Sequence, residues 1–258
     1  MADHTLEQEP IAFKQESSLK KRFFSTLAVL FVLGLAFVWF YGRQAHFLNQ
    51  HIESVSDDLL IPLKPIHFSA PIEKEWKEHV FHSRTNYQVI GEELRASSAG
   101  SSSMIYQEVN IAPKERPFLT WEWKAIEFPT NKTGNHLADK SNNDFIGRVY
   151  AIFKGKTPFH SNVIQYVWDD KFPEGSVDES PFMRNVKIMV VQNGKTGDWV
   201  KETRDVISDY KKLFGHWPTT LSAIAIMSDS DNTQTKSEIL YRNLSIQKPD
   251  WNKKPPSS

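Results

Sequence analysis

The chain has 258 residues, of which 40% are hydrophobic and 24% charged, the proportions of an ordinary globular protein. Its 31 basic and 31 acidic residues cancel, so there is no overall basic field of the kind that recruits nucleic acid, and no nucleic-acid partner is expected. The absence of cysteine excludes disulfides, thiolate catalysis and cysteine-type zinc sites.

Residues 1–22 are polar and end in Lys20, Lys21 and Arg22; they read as a short cytoplasmic tail. An uncharged apolar run, Phe23 to Tyr41, follows, long enough as a helix to cross a bilayer. Trp39 and Tyr41 stand at its far end, where amphipathic rings favour the interface, and the cations before it set the amino terminus inside. A cleaved signal peptide would need small residues before the cut, and Arg43-Gln44-Ala45 puts arginine there, so the run reads as an uncleaved single-pass anchor. The expected location is the bacterial inner membrane, with everything after residue 41 in the periplasm. Residues 42–61 have helical spacing of apolar positions and read as a stalk, ended by Pro62 and Pro65.

From residue 62 to 247 the period becomes two. Phe118 to Ile126 places Leu119, Trp121, Trp123 and Ala125 on one face and Thr120, Glu122 and Lys124 on the other. Similar runs are Tyr87 to Ile90, Glu92 to Ser97, Ser103 to Ile111, Arg148 to Lys154, Asn162 to Trp168 and Val186 to Gln192. Trp199 to Arg204, Leu221 to Met227 and Glu238 to Ile246 complete the set. Many strands with turn residues between them, and no alternating helices, predict a mainly β fold: an antiparallel β-sandwich of jelly-roll type. The one predicted helix is Val206 to Phe214, with Asp205 as N-cap and Gly215 as its left-handed stop. The polar stretch Pro129 to Asn143 reads as a flap or as disorder, and residues 248–258 as a disordered tail.

Among possible chemical motifs, two Gly-Lys-Thr triplets (Gly155 to Thr157, Gly194 to Thr196) lack the upstream glycine of a phosphate loop and read as turns. There is no G-x-S-x-G elbow and no H-E-x-x-H pair. His79 and His82 read as surface residues. Asp229, Asp231 and Asn232 offer hard oxygens at close spacing after an apolar strand, so a structural calcium is a candidate cofactor there, against a turn that caps its own backbone. Glu202 and Arg204 share one strand face, as do Arg148 with Tyr150 and Tyr166 with Trp168. Were those strands neighbours, one face would carry a carboxylate, guanidinium groups and aromatic rings: a sugar-binding surface or a buried ion-pair network.

The ordered series Trp121-x-Trp123, Asp144 with Arg148-Val149-Tyr150, Tyr166-x-Trp168, Trp199 to Gly215, Ile224 to Thr233 and Tyr241 resembles the bacterial family known as domain of unknown function 3047. The resemblance spans Pro65 to Gln247 and implies an exported single domain without an assigned activity. The family pattern has an acidic pair where this chain has Asn143-Asp144. The series is also similar, more loosely, to jelly-roll domains of the galactose-binding type. The resulting expectation is a periplasmic domain that binds a glycan or other envelope ligand. In it Trp121, Trp123, Tyr166 and Trp168 would be stacking surfaces and Arg148, Glu202 and Arg204 polar contacts. The alternatives are a polysaccharide hydrolase or lyase pairing Glu202 with Asp205, Asp229 or Asp231, and a scaffold for an envelope protein.

Overall fold

A computed structural model describes residues 57–157, 160–194 and 197–253. The expected tail, membrane span and nearly all of the stalk lie outside the described residues. Among the described residues no helix is long and apolar enough to cross a membrane.

The strands are β1 (Leu60–Pro65), β2 (Lys77–Val80), β3 (Asn86–Ile90), β4 (Glu93–Ala99), β5 (Ser103–Ile111), β6 (Phe118–Glu127) and β7 (Gly147–Phe153). They continue with β8 (Asn162–Asp169), β9 (Val177–Glu179), β10 (Val186–Asn193), β11 (Val200–Asp205), β12 (Leu221–Met227) and β13 (Lys236–Pro249). One sheet runs β11-β6-β13-β4-β3, with β1 also on β13; the other runs β2-β5-β12-β7-β8-β10-β9. The result is the two-sheet sandwich that the period-two runs predict. It is not wholly antiparallel, because β8 and β10 run parallel. Parallel neighbours need a long connection to return the chain to its starting end, and residues 170–185, which include β9, provide one.

Three strands escape the sequence pattern. β1 carries Pro62 and Pro65 inside what read as a stalk boundary; it pairs with β13 alone, and an edge strand tolerates the missing amide donors. β2 is likewise an edge strand, and β9 is three residues long.

The core is an aromatic layer between the sheets. Trp121 and Trp123 of β6 and Tyr241 of β13 face Tyr166 and Trp168 of β8, and all five are essentially fully buried. Ring centroids lie 5.7 Å apart for Trp121–Tyr166 and 5.4 Å for Trp123–Trp168, within the range of favourable aromatic pairs. Close approach is made possible at Gly147, where an added Cβ would lie 2.7 Å from the Tyr241 hydroxyl and 2.4 Å from Ile239 Cδ1. Through that gap the Tyr241 hydroxyl crosses to the second sheet, accepting from Arg148 N at 3.0 Å and donating to Met227 O at 3.0 Å.

The helix α1 (Val206–Phe214) forms as predicted. Asp205 accepts from Ile207 N at 3.2 Å and Ser208 N at 3.1 Å, a cap that contributes about 1 kcal/mol, and Gly215 closes the helix at φ 77. The segment 129–143 is folded onto the outside of the second sheet: Leu137 and Phe145 pack on Val167, Ile188 and Val190. Lys132 from this segment forms a buried ion pair with Asp169.

Candidate functional site

Strand register decides which of the expected site residues meet. On paired antiparallel strands, directly opposite residues point to the same face. Glu202 is opposite Trp121, and Arg204 opposite Leu119, so both point inward. Trp168 is opposite Gly147, while Arg148 is opposite Val167 and Tyr150 opposite Gln165. Arg148 and Tyr150 therefore face the outside of the second sheet, away from Tyr166 and Trp168. The single face expected from sequence is two faces. The expectation of stacking surfaces is also corrected: Trp121, Trp123, Tyr166 and Trp168 are each 0% exposed, with their rings packed against one another.

On the outer side, Arg148 is held by four hydrogen bonds. Its Nε donates to Asp229 Oδ1 at 3.0 Å, Nη1 to Gln165 Oε1 at 3.0 Å and Nη2 to Asn143 O at 2.6 Å, and a second Nη2 contact joins Asp229 Oδ2. Phe145 lies beneath the guanidinium at 4.6 Å. Arg148 is thus part of the buried ion-pair network weighed above, with four of its five N–H donors engaged inside the protein. Its charge is held firmly by Asp229, whereas burial and the neighbouring Asp144 push the Asp229 carboxyl up, to about 7, against the pull of Arg148. The two shifts disagree about the pair. The geometry favours the ionised form, because every hydrogen-bond partner of Asp229 is a donor: two guanidinium N–H groups and the Phe145 amide at 3.2 Å.

Asp144, Asp229 and Asp231 bring carboxylate oxygens within 4.8 Å of one another, the set to test against calcium. Asp144 is already full. Its Oδ1 accepts from Asn232 N at 3.2 Å and Asn232 Nδ2 at 3.0 Å, and its Oδ2 from Thr233 N and Thr233 Oγ1, both at 2.6 Å. Those four donors match the lone-pair sites of a carboxylate. With Arg148 also on Asp229, a cation would have to displace bonds already made. The hydrogen bonds therefore support the turn-capping reading, in which Asn232 is a donor to Asp144 and not a ligand. Adding EDTA, or millimolar calcium, is expected to leave the thermal midpoint of the domain unchanged; a calcium-dependent rise of several degrees would reverse this reading.

On the inner side, Glu202 and Arg204 stand on β11, the open edge of the first sheet. Arg204 pairs with Asp209 of α1 through Nε at 2.9 Å and Nη2 at 2.8 Å, and lies over the Tyr166 ring at 5.6 Å. The Tyr166 hydroxyl donates to Asp209 Oδ2 at 3.0 Å. Glu202 is different: among the described residues it has no ion pair, and burial pushes its carboxyl up, to about 7, against the pull of Arg204. Glu174, on the segment after β8, pushes it further up. The Trp123 indole is close enough to act on this carboxyl, yet neither Trp121 Nε1 nor Trp123 Nε1 has a partner of good hydrogen-bond geometry. Two buried donors and a half-buried carboxyl thus remain unmatched in one region.

The aspartates expected to join Glu202 in acid–base work are engaged elsewhere. Asp205 caps α1 and takes Arg116 at 2.9 Å; Asp229 holds Arg148; Asp231 belongs to the Asp144 loop. Glu122 faces outward, bonded to Arg242 and Asn243 at 2.8 Å each. Sequence reasoning assigned no partner to Asp209, which sits on the helix, and missed Gln165, which is revealed only by its register with Tyr150.

The architecture has distant parallels in solved structures. The xyloglucanase domain of NopAA, a type three effector from Sinorhizobium fredii, solved in complex with cellobiose, aligns with a TM-score of 0.39 at 13% identity, over 66% of this chain and 92% of that one. The family 11 carbohydrate-binding module of cellulosomal cellulase Lic26A-Cel5E of Clostridium thermocellum gives 0.37 at 6% identity, over 72% and 94%. Both are likenesses of outline and carry nothing about the ligand here. No curated protein matches the chain in sequence. A family profile described as a protein of unknown function (DUF3047) matches residues 74–245, the span that holds the aromatic layer, the Arg148–Asp229 pair and the Glu202 edge, and the chain belongs to that family.

Proposed function

We propose that the chain is a membrane-anchored, periplasmic binding protein whose jelly-roll sandwich takes a neutral, hydroxyl-rich ligand, a glycan of the cell envelope, at the β11 edge. The observation that supports this is the set of unmatched groups there: the Glu202 carboxyl beside two indole N–H donors without acceptors. Buried polar groups are ordinarily paired, and an unpaired set of this size calls for a partner from outside the chain. A sugar hydroxyl donates and accepts at once, so one hydroxyl satisfies Glu202 and an indole together. Arg204 is fixed by Asp209, and it supplies a positioned cation beside the carboxyl. The anchor follows from the Phe23 to Tyr41 run and its basic flank.

Binding is measured by calorimetry, titrating the full chain in detergent with neutral oligosaccharides released from bacterial envelope polysaccharide. Glu202→Gln is expected to weaken affinity at least about tenfold, the cost of one poorly matched polar contact in a buried site. Trp123→Phe, which keeps an aromatic ring in the layer and removes the indole N–H, is expected to act in the same direction. Affinity unchanged in both variants, or no binding by the parent chain, would overturn the assignment.

A further inference from the structure

Both ends of the sandwich expose apolar side chains, Phe81 at one and Phe182 at the other, and they differ in the cations they present. One end holds the loop after β12, with Asp144, Asp229 and Asp231. The other is defined by the pairs Phe153–Asn162, Val186–Val163, Leu221–Ile111 and Asp205–Phe118. At this second end Asn185, in the turn 180–185, donates from its Nδ2 to Ser161 O at 2.6 Å, just before β8. Helix α1 starts here, directly after Asp205.

Lys114, Lys154, Lys156, Arg184 and Lys212 are all exposed at this end. None of the five is paired with an acidic side chain among the described residues. Three acidic groups nearby are already used: Asp205 by Arg116 and the helix cap, Asp209 by Arg204, and Glu115 by Lys248. This end therefore presents five cations to solvent without acidic partners among the described residues. The same end also presents Phe182, 55% exposed, and Met183, 44% exposed, side by side at the tip of the β9–β10 turn. Exposed apolar side chains at an end that also bears lysine and arginine match the boundary between anionic headgroups and acyl chains. The chain also enters the sandwich at this end: Leu60, the first residue of β1, pairs with Pro249, beyond the Phe118–Gln247 pair.

From this placement we infer that the end of the sandwich bearing Phe182, Met183 and the unpaired lysines docks on an anionic phospholipid surface. The contact holds the domain upright on the membrane, with the loop after β12 directed away. The dock is a property of the domain surface and is separable from the membrane span before it. The lipid contact also leaves the β11 edge free along the side of the sandwich.

The chain has no cysteine, so Met183→Cys and Gln234→Cys each create one labelling position, at the docking end and on the exposed loop at the opposite end. The full chain carrying a polarity-sensitive fluorophore is reconstituted into phosphatidylcholine vesicles with and without phosphatidylglycerol. Flotation with the vesicles reports the span; the fluorophore reports the dock. The expected result is a blue shift at position 183 that requires phosphatidylglycerol, fades at high salt, and has no counterpart at position 234. Combining Met183→Cys with Lys154→Glu, Lys156→Glu and Lys212→Glu, all at exposed positions, is expected to abolish the shift while leaving flotation intact. No shift at 183, an equal shift at both positions, or a shift that survives the charge reversals would overturn the inference.

Discussion

Arg148→Met is expected to lower folding stability by about 3–5 kcal/mol, because it leaves Asp229 buried without its cation. Arg148 and Asp229 are 2% and 1% exposed, so water cannot replace the lost partner. The damage extends past the pair. Gln165 Oε1 and Asn143 O lose their guanidinium donors, and Phe145 loses the group stacked above it. Since natural domains are stable by only about 5–15 kcal/mol, this single change takes a large part of the total. Arg148→Lys is expected to recover little, since an ammonium cannot reproduce the forked contact with a carboxylate. Arg148→Met combined with Asp229→Leu is expected to be more stable than Arg148→Met alone, because the stranded charge is gone. Urea unfolding of the parent, the two single variants and the double variant measures all of this. A loss under about 1 kcal/mol in Arg148→Met would show that the network does not hold the loops around it.

The fold was legible where period-two patterning ran unbroken. Ser103 to Ile111 and Leu221 to Met227 form strands with the predicted limits, and Val206 to Phe214 forms the helix with its predicted cap and stop. Edge strands were not, because they are short or carry proline and lack an alternating apolar face: β1 reads as a broken stalk and β9 as a loop. The site residues were legible as types and not as partners. Alternation assigns Arg148 and Tyr150 to one face of β7, and Tyr166 and Trp168 to one face of β8, but only the register between the strands shows that these faces are opposite. Tryptophan clusters read equally well as binding platforms or as core, and the closeness of the sheets at Gly147 decides for core. Glu202 was recognisable because a carboxylate on an inward face is costly unless matched. That it stays unmatched depends on Asp209, held by the next element, taking Arg204 away from it.

The same unmatched carboxyl makes stability depend on pH in a direction that Glu202→Gln should erase. Folding raises the Glu202 pKa to about 7 from an ordinary value of 4.5. A group raised in this way favours the folded state fully below its unfolded pKa, since it is then neutral in both states. As the pH climbs from about 4.5 to 7, the unfolded chain ionises while the folded chain resists, and that contribution is lost. Above pH 7 the folded protein must carry a poorly hydrated charge, at a cost on the order of 2–3 kcal/mol. Four groups set this cost. Arg204 on the same strand and the Trp123 indole on β6 reduce it, Glu174 on the segment after β8 increases it, and Asp209 on α1 limits what Arg204 can offer. Glutamine keeps the shape and has no charge to lose. Glu202→Gln is therefore expected to match the parent near pH 4.5 and to exceed it at pH 8 by roughly the stated cost, read as a difference in urea midpoints at each pH. Asp229 also titrates upward, but it is present in both proteins and cancels in the difference. A difference that is flat between pH 4.5 and 8 would mean that Glu202 is solvated or paired in solution, and with that the argument for an unmatched site at the β11 edge would fall.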